Sequence, residues 1–218
     1  MLYTEHSKRF LMRNFDFESV MIKNNQDRQK EDFFSDLKSS INKKIPQGVI
    51  LEKLSQKADA RGSFVEIFRE TWSTAINPVQ WNIIKSHANC FRGVHVHIKH
   101  DDYLVPLSGK TLIGLQDLRI KSPTYGIGCV VELNGEDPAR LTIPPGVAHA
   151  FYCTDTSTLI HAVSEYWDPH DELRCHWQSP ELKIPWTIEN AIVSECDANA
   201  PSFKQLVDTL KPWQDTLL

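Results

Sequence analysis

The sequence is short of several things, and each shortage removes a class of protein. Five cysteines (Cys90, Cys129, Cys153, Cys175 and Cys196) are spread over 218 residues with no CxxC pair, which suggests neither a zinc ribbon nor a disulfide framework. They read as buried free thiols. No apolar run approaches the roughly 20 residues that span a bilayer. The opening segment, MLYTEHSKRFLMRNFDFESV, interrupts its apolar residues with charges of both signs, so no signal-peptide core is visible and a cytoplasmic protein with no membrane partner is expected. An excess of positive charge is also missing. Lys and Arg number 24 against 28 Asp and Glu, a formal net charge of −4, which gives no global field for a nucleic-acid backbone. Neither a repeat nor a low-complexity tract is found.

What is present is an ordinary globular balance, 41% hydrophobic and 24% charged, long enough for one domain with an appendage. Residues 1–45 are polar and uneven. Within them QDRQKEDFFSDLKSSINKK places Phe33, Phe34, Leu37 and Ile41 at helical spacing. The spacing predicts an amphipathic helix, ended before Pro46, that packs on the main domain or on a second subunit. From Gln47 onward the texture changes to short β-type runs such as GVILEKL, YLVPLSG, TLIGLQDLRI, ARLTIPPG and STLIHAVSEYW, separated by Gly, Pro, Asn and Asp. Many short strands with frequent turn signals predict an all-β sandwich or small barrel over 46–205, followed by a tail, 206–218, with a short C-terminal helix. Side chains two apart share a strand face, so His95 and His97 lie on one side, as do Asp117 and Arg119, and His161, Val163 and Glu165.

The segment RGVHVHIKHDDYLVPLSG, followed further on by PPGVAHAF, has the layout of the two cupin motifs: HxH, an acid and a Gly, then PxG and another His. His95, His97, Asp102 and His149 form a sound ligand set for a divalent transition metal, although the same skeleton occurs in cupins that bind none.

Seven blocks in order, DARGSFVE, the Gln80 and Asn82 of QWN, RGVH, DLRIKSPTYG, IPPGVAHAF, EYWDP and SECD, resemble the nucleotide-sugar 3,5-epimerases typified by dTDP-4-dehydrorhamnose 3,5-epimerase. The resemblance runs from about Ile45 to Gln205. It implies a cupin-type jelly roll, usually homodimeric, that epimerises nucleotide-linked 4-keto-6-deoxy sugars with neither metal nor redox cofactor. The chemistry is a proton abstraction. A 4-ketone acidifies the hydrogens on C3 and C5, a base removes one, and the enolate is reprotonated from the opposite face.

On the matched positions, the resemblance implies that His95 is the base and Asp197 the carboxylate that orients it. Arg92 is implied as a diphosphate contact, with Arg61, Glu66, Gln80 and Asn82 completing the nucleotide grip, a use to which guanidinium groups are well suited. His149 and Asp117 fall on positions lining the sugar pocket, His149 to polarise the ketone or donate to the enolate oxygen, and Asp117 to orient His149 or to bond a strand end. Tyr166 and Trp167 either stack on a sugar or base or belong to the core.

Two positions depart from the family. Its tyrosine acid falls on His161, and its lysine near the sugar oxygen falls on Asp102, with Lys99 a displaced candidate for that cationic role. A histidine can donate a proton in a tyrosine's place. The leading expectation is therefore an isomerase that inverts C3, and also C5 if His161 serves fully as the acid, in a deoxysugar pathway such as O-antigen supply. The competing readings are a metal-dependent cupin isomerase or oxygenase, and a non-catalytic sugar-nucleotide binder.

Overall fold

The computed structural model describes residues 45–72 and 76–216; the helix expected around Phe33, Phe34, Leu37 and Ile41 lies outside them. Among the described residues the chain forms strands β1 (Ile50–Lys53), β2 (Gln56–Asp59), β3 (Gly62–Val65), β4 (Gln80–Ser86), β5 (Cys90–Val96), β6 (Asp102–Ser108), β7 (Lys110–Asp117), β8 (Gly128–Asn134), β9 (Ala139–Ile143), β10 (Val147–Cys153), β11 (Ser157–Val163), β12 (Leu173–Arg174) and β13 (Ile192–Val193). Two helices follow, α1 (Glu195–Ala198) and α2 (Phe203–Thr216). One sheet has the order β1-β9-β6-β11-β4, the other β12-β5-β10-β7-β8 with β13 added in parallel on β5, and β2-β3 is a separate hairpin.

Alternation along the strands decides which faces meet. Leu104, Leu141, Ile143 and Leu159 of the first sheet pack against Ile113, Leu115, Val131, Leu133 and Phe151 of the second. Each such side chain contributes roughly 1.5–3 kcal/mol by leaving water, and together they close the jelly roll expected from the sequence. The outer face of the second sheet is covered too. Ala148 and Ala150 of β10 are small there because Cys175, Leu206 and Leu210 lie over them. Gly114 admits the Trp186 ring so closely that a Cβ would sit 2.3 Å from it.

Helix α2 runs across the expected boundary at residue 205, and its Leu206 and Leu210 are buried. The tail is thus packed as part of the domain. Gln214 fastens it, accepting from the Ile120 N–H at 2.9 Å and donating to the Leu118 carbonyl at 3.2 Å. The thiols follow expectation in part: Cys129, Cys153 and Cys175 are buried and Cys90 is half-buried, but Cys196 is exposed. Burial pushes Cys129 up to about 11 and Cys175 up to about 12, so both stay protonated and apolar in character.

Of the two uses expected for Asp117, the contacts are those of a strand end. Fully buried at the end of β7, it is absent from the cavity wall described below and instead organises the DLRIKSPTYG turn. Its Oδ1 accepts from the Arg119 N–H and Nε, and its Oδ2 from Arg119 Nη2 and the Ser122 and Thr124 hydroxyls, all at 2.6–3.0 Å. Burial raises its carboxyl pKa, but these donors outweigh burial and hold it below the ordinary range. Truncating one partner of such a buried pair costs about 3–5 kcal/mol. Asp117→Ala is therefore expected to lower the urea midpoint by that equivalent. The contribution is present above the unfolded carboxylate pKa of about 3.9 and is lost as pH falls through the lowered folded value, so the wild type loses more stability on acidification than the variant.

Candidate active site

At one end of the sandwich the apolar interior gives way to a cavity of about 390 Å³. Its walls come from both sheets: Gln80, Asn82 and Ile84 of β4 and His161 and Val163 of β11 on one side, Arg92 and His95 of β5 with His149 and Phe151 of β10 on the other.

Strand β5 reaches this wall through a bulge. The β10 register pairs His149 with His95 and Ala150 with Gly93, leaving one residue of β5 unmatched. That extra residue inverts the phase of the strand. Arg92 and His95, three apart, both face the cavity, while Val94 and Val96 pack into the outer core and Phe91 belongs to that core and also borders the cavity. Only glycine fits at position 93: its φ is +114°, and a Cβ would lie 2.8 Å from Ala150 Cβ and 2.9 Å from the His149 carbonyl.

The same bulge receives the distant SECD segment. Strand β13 pairs in parallel with the start of β5, Ile192 opposite Cys90 and Val193 opposite Phe91. Ser194 then caps α1, its hydroxyl accepting from the Asp197 N–H at 3.1 Å. Asp197 is thereby delivered to β5, where Oδ2 accepts from the Gly93 N–H at 3.3 Å and Oδ1 lies 3.0 Å from His95 Nε2. Burial pushes the Asp197 carboxyl up, but His95, the Gly93 N–H and the Ser194 hydroxyl together hold it below the ordinary range. On its other side His95 Nδ1 is 3.2 Å from Glu172 Oε1. Arg174 is near both carboxylates, 3.8 Å from Asp197 and 3.9 Å from Glu172.

A second histidine–carboxylate pair stands on the opposite sheet. His161 Nε2 is 2.7 Å from Oδ1 of Asp102, which is 1% exposed. Around Asp102 lie three more imidazoles. His97 and His149 bring Nε2 to 3.8 and 3.7 Å from Oδ2, and His100 brings Nε2 to 3.7 Å from Oδ1. Burial raises the Asp102 carboxyl pKa, yet the surrounding imidazoles carry it well below the ordinary range. Burial also lowers His149 to about 3, so that ring is neutral at pH 7. Its Nδ1 donates to the Val147 carbonyl at 3.3 Å, which leaves Nε2 without a proton. A neutral His149 in this tautomer offers no donor to an enolate oxygen.

The remaining assignments divide. Arg92 lines the cavity, with Nε donating to Ser86 Oγ at 3.0 Å and Nη2 to the Lys85 carbonyl at 3.2 Å. Gln80 and Asn82 are also on the wall and bonded to each other at 3.0 Å. Arg61 and Glu66 are not on this wall. Arg61 sits at the tip of the β2–β3 hairpin, paired with Asp59, and Glu66 is paired with Arg69. Tyr166 is 73% exposed and off the wall, whereas Trp167 is on it and donates from Nε1 to Glu172 at 3.2 Å. Lys99 points away to Asp168 at 2.9 Å. In the metal set expected from the cupin motifs, His95 is drawn off by Asp197 and Glu172, and His100 stands 3.7 Å from Asp102 in its stead.

Sequence reasoning missed Glu172, Asp171, Arg174 and His100. Buried Asp171 organises the end of β5. Its carboxylate accepts from the Ile98 and Lys99 N–H groups and from His100 Nδ1, and its carbonyl accepts from His97 Nδ1. The polar run HDELR after EYWDP was the available signal.

A jelly roll whose polar end holds two histidine–carboxylate pairs and a guanidinium defines a cupin suited to moving protons on an anionic ligand. Comparison with known proteins makes the class specific. The family pattern of dTDP-4-dehydrorhamnose 3,5-epimerase matches residues 43–205, and the chain belongs to that family, whose members are isomerases. A dTDP-4-dehydrorhamnose 3,5-epimerase of Pseudomonas aeruginosa is 31% identical over 164 residues, 71% of this chain and 91% of the relative. A dTDP-4-dehydro-6-deoxyglucose 3-epimerase of Streptomyces is 29% identical, over 69% of this chain and 82% of the relative. Among solved structures, a dTDP-6-deoxy-D-glucose-3,5-epimerase of Legionella pneumophila in complex with dTDP-4-keto-L-rhamnose superposes with a TM-score of 0.68 at 27% identity, covering 75% of this chain and 92% of that one.

The geometry fixes the His95 tautomer. With Asp197 accepting from Nε2, neutral His95 is expected to carry its proton there, read as the Nε2–H tautomer in nitrogen-15 spectra of the imidazoles. Asp197→Ala is expected to abolish that preference, and an unchanged tautomer would show that Asp197 does not set it.

Proposed function

We propose that the chain epimerises a nucleotide-linked 4-keto-6-deoxyhexose, inverting C3 first and C5 where the same acid reaches it. The observation that carries this reading is the pair of histidine–carboxylate dyads on opposite walls of one cavity, His95 with Asp197 and His161 with Asp102. Inversion needs a base on one face of a planar enolate and an acid on the other, and two facing walls supply those positions.

His95, pinned through Nε2, presents Nδ1 to the substrate and takes the C3 proton there. Glu172, 3.2 Å from Nδ1, stabilises the imidazolium that results. The electron pair moves into the ring carbons and the C4 oxygen. His161, protonated and held by Asp102, returns a proton from the opposite wall and becomes neutral. These transfers need no redox cofactor. Arg92 binds the diphosphate, with Gln80 and Asn82 beside it, and Trp167 covers the mouth as the aromatic contact.

The functional form is a cytoplasmic homodimer. On the β2–β3 hairpin the Arg61 side chain is 90% exposed and Phe64 68% exposed, away from this chain's own cavity, so Arg61 and Glu66 act on a second copy's substrate. The supply of a deoxysugar for surface polysaccharide is the pathway this substrate class fits.

The test is proton NMR of 4-keto-6-deoxy nucleotide sugars in heavy water. Loss of the C3 hydrogen signal is expected, and absence of exchange at both carbons across several nucleotides would end this reading. His95→Asn is expected to slow exchange by about 10²–10⁴-fold, the usual worth of a general base. His161→Gln is expected to slow inversion more than exchange, since the proton still leaves. Mixing Arg61→Ala with His95→Asn protein is expected to restore part of the activity if the hairpin acts across the dimer.

A further inference from the structure

The buried imidazoles around Asp102 exceed what proton transfer requires. His97, His100 and His149 are 4–6% exposed and Asp102 1%, and the dyad chemistry uses only Asp102, through His161. Their tautomers are legible from their partners. His97 Nδ1 meets the Asp171 carbonyl at 3.2 Å, His100 Nδ1 the Asp171 carboxylate at 2.7 Å, and His149 Nδ1 the Val147 carbonyl at 3.3 Å. A carbonyl or carboxylate only accepts, so each Nδ1 is an N–H and each ring turns its Nε2 inward.

Three Nε2 atoms thus surround one carboxylate at 3.7–3.8 Å. That spacing is too long for hydrogen bonds. It is a spacing that a cation shared by the four groups would close by ligation. The three Nδ1–H bonds are of the kind that orients metal-bound histidines, and three imidazole nitrogens with one carboxylate oxygen suit a divalent ion of the zinc, iron or cobalt class.

We propose that His97, His100, Asp102 and His149 form a binding site for one divalent transition-metal ion on the cavity wall, with His95 outside it. The ligand atoms of His97, His100 and Asp102 lie within 4.8 Å of one another, whereas donors about 2.0–2.1 Å from a tetrahedral ion stand about 3.3 Å apart. Binding therefore draws the rings inward, and the ion stabilises the fold by linkage. His97, His100 and His149 all line the cavity, so an open coordination position faces it. On the function proposed above, the ion supplies positive charge where Asp102 stands in place of the family's lysine.

The experiment uses the full chain, stripped by a chelator and titrated with cobalt(II) without any sugar nucleotide. One equivalent bound, visible d–d bands and a raised melting temperature are expected. His95→Asn is expected to keep all three, while His100→Gln and His97→Gln weaken binding by at least about tenfold, the lower bound for lost ligand support. Failure of folded wild-type protein to bind cobalt(II) or zinc(II) stoichiometrically, with the imidazoles merely sharing protons, would overturn the site. So would loss of the ion in His95→Asn but not in His100→Gln. Because the readout is the ion, its failure leaves the proton-exchange test of the epimerase reading untouched.

Discussion

One extra residue in β5 is the constraint on which the site depends. A regular strand would send Arg92 and His95 to opposite faces, leaving the guanidinium or the imidazole in the outer core with Phe91 and Val96. The bulge at Gly93 places both in the cavity, and it frees the Gly93 N–H, which turns to Asp197 instead of a neighbouring strand. Glycine is required there on two separate grounds, its positive φ and the approach of Ala150. The positions of His95, Asp197 and Arg92 are therefore set by a single backbone irregularity.

The second determinant is that the carboxylates are buried in company. Asp102, Asp171 and Asp197 are each at most 5% exposed, and an isolated charge so placed would cost several kcal/mol. Each is offset by donors fixed in the backbone or by imidazoles fixed in turn. Asp171 illustrates the layering, because it holds two backbone N–H groups and His100 with its carboxylate and His97 with its carbonyl. Residues beyond the cavity wall thus decide which nitrogen of each histidine faces inward.

Sequence reading reaches the fold well because alternation and turn chemistry are local. The strands, the shared face of His95 and His97, and the ordered blocks from DARGSFVE to SECD are all visible in one dimension. What is not visible is which strand faces which. Nothing local says that Val193 will lie beside Phe91, or that Asp117 will be enclosed by Arg119, Ser122 and Thr124 rather than face a ligand. The HxH pattern suggests that His95 and His97 act together. The structure separates them, His95 to Asp197 and Glu172, His97 to Asp171 and Asp102, because partners about 75–100 residues away compete for the two rings. Arg61 and Glu66 belong to a block that matches by sequence but lies on a hairpin apart from the cavity, so block order alone does not tell which copy of the chain a residue serves.

His161 and Asp102 are the two positions where the resemblance implies a departure from the family pattern, and the geometry pairs them with each other. An aspartate in place of a lysine is unfavourable alone beside a developing enolate, since it adds repulsion where attraction is needed. A histidine in place of a tyrosine is shorter, and without a partner it would be poorly held. At 2.7 Å from each other the two answer both objections: the carboxylate orients the imidazole and offsets its charge, and the imidazole places a donor proton between that carboxylate and the substrate. The opposite wall repeats the arrangement in His95 and Asp197. A cavity built in this way carries the same kind of histidine–carboxylate pair on both of its walls, so on the function proposed above the choice of base and acid follows from the side on which the hydrogen stands.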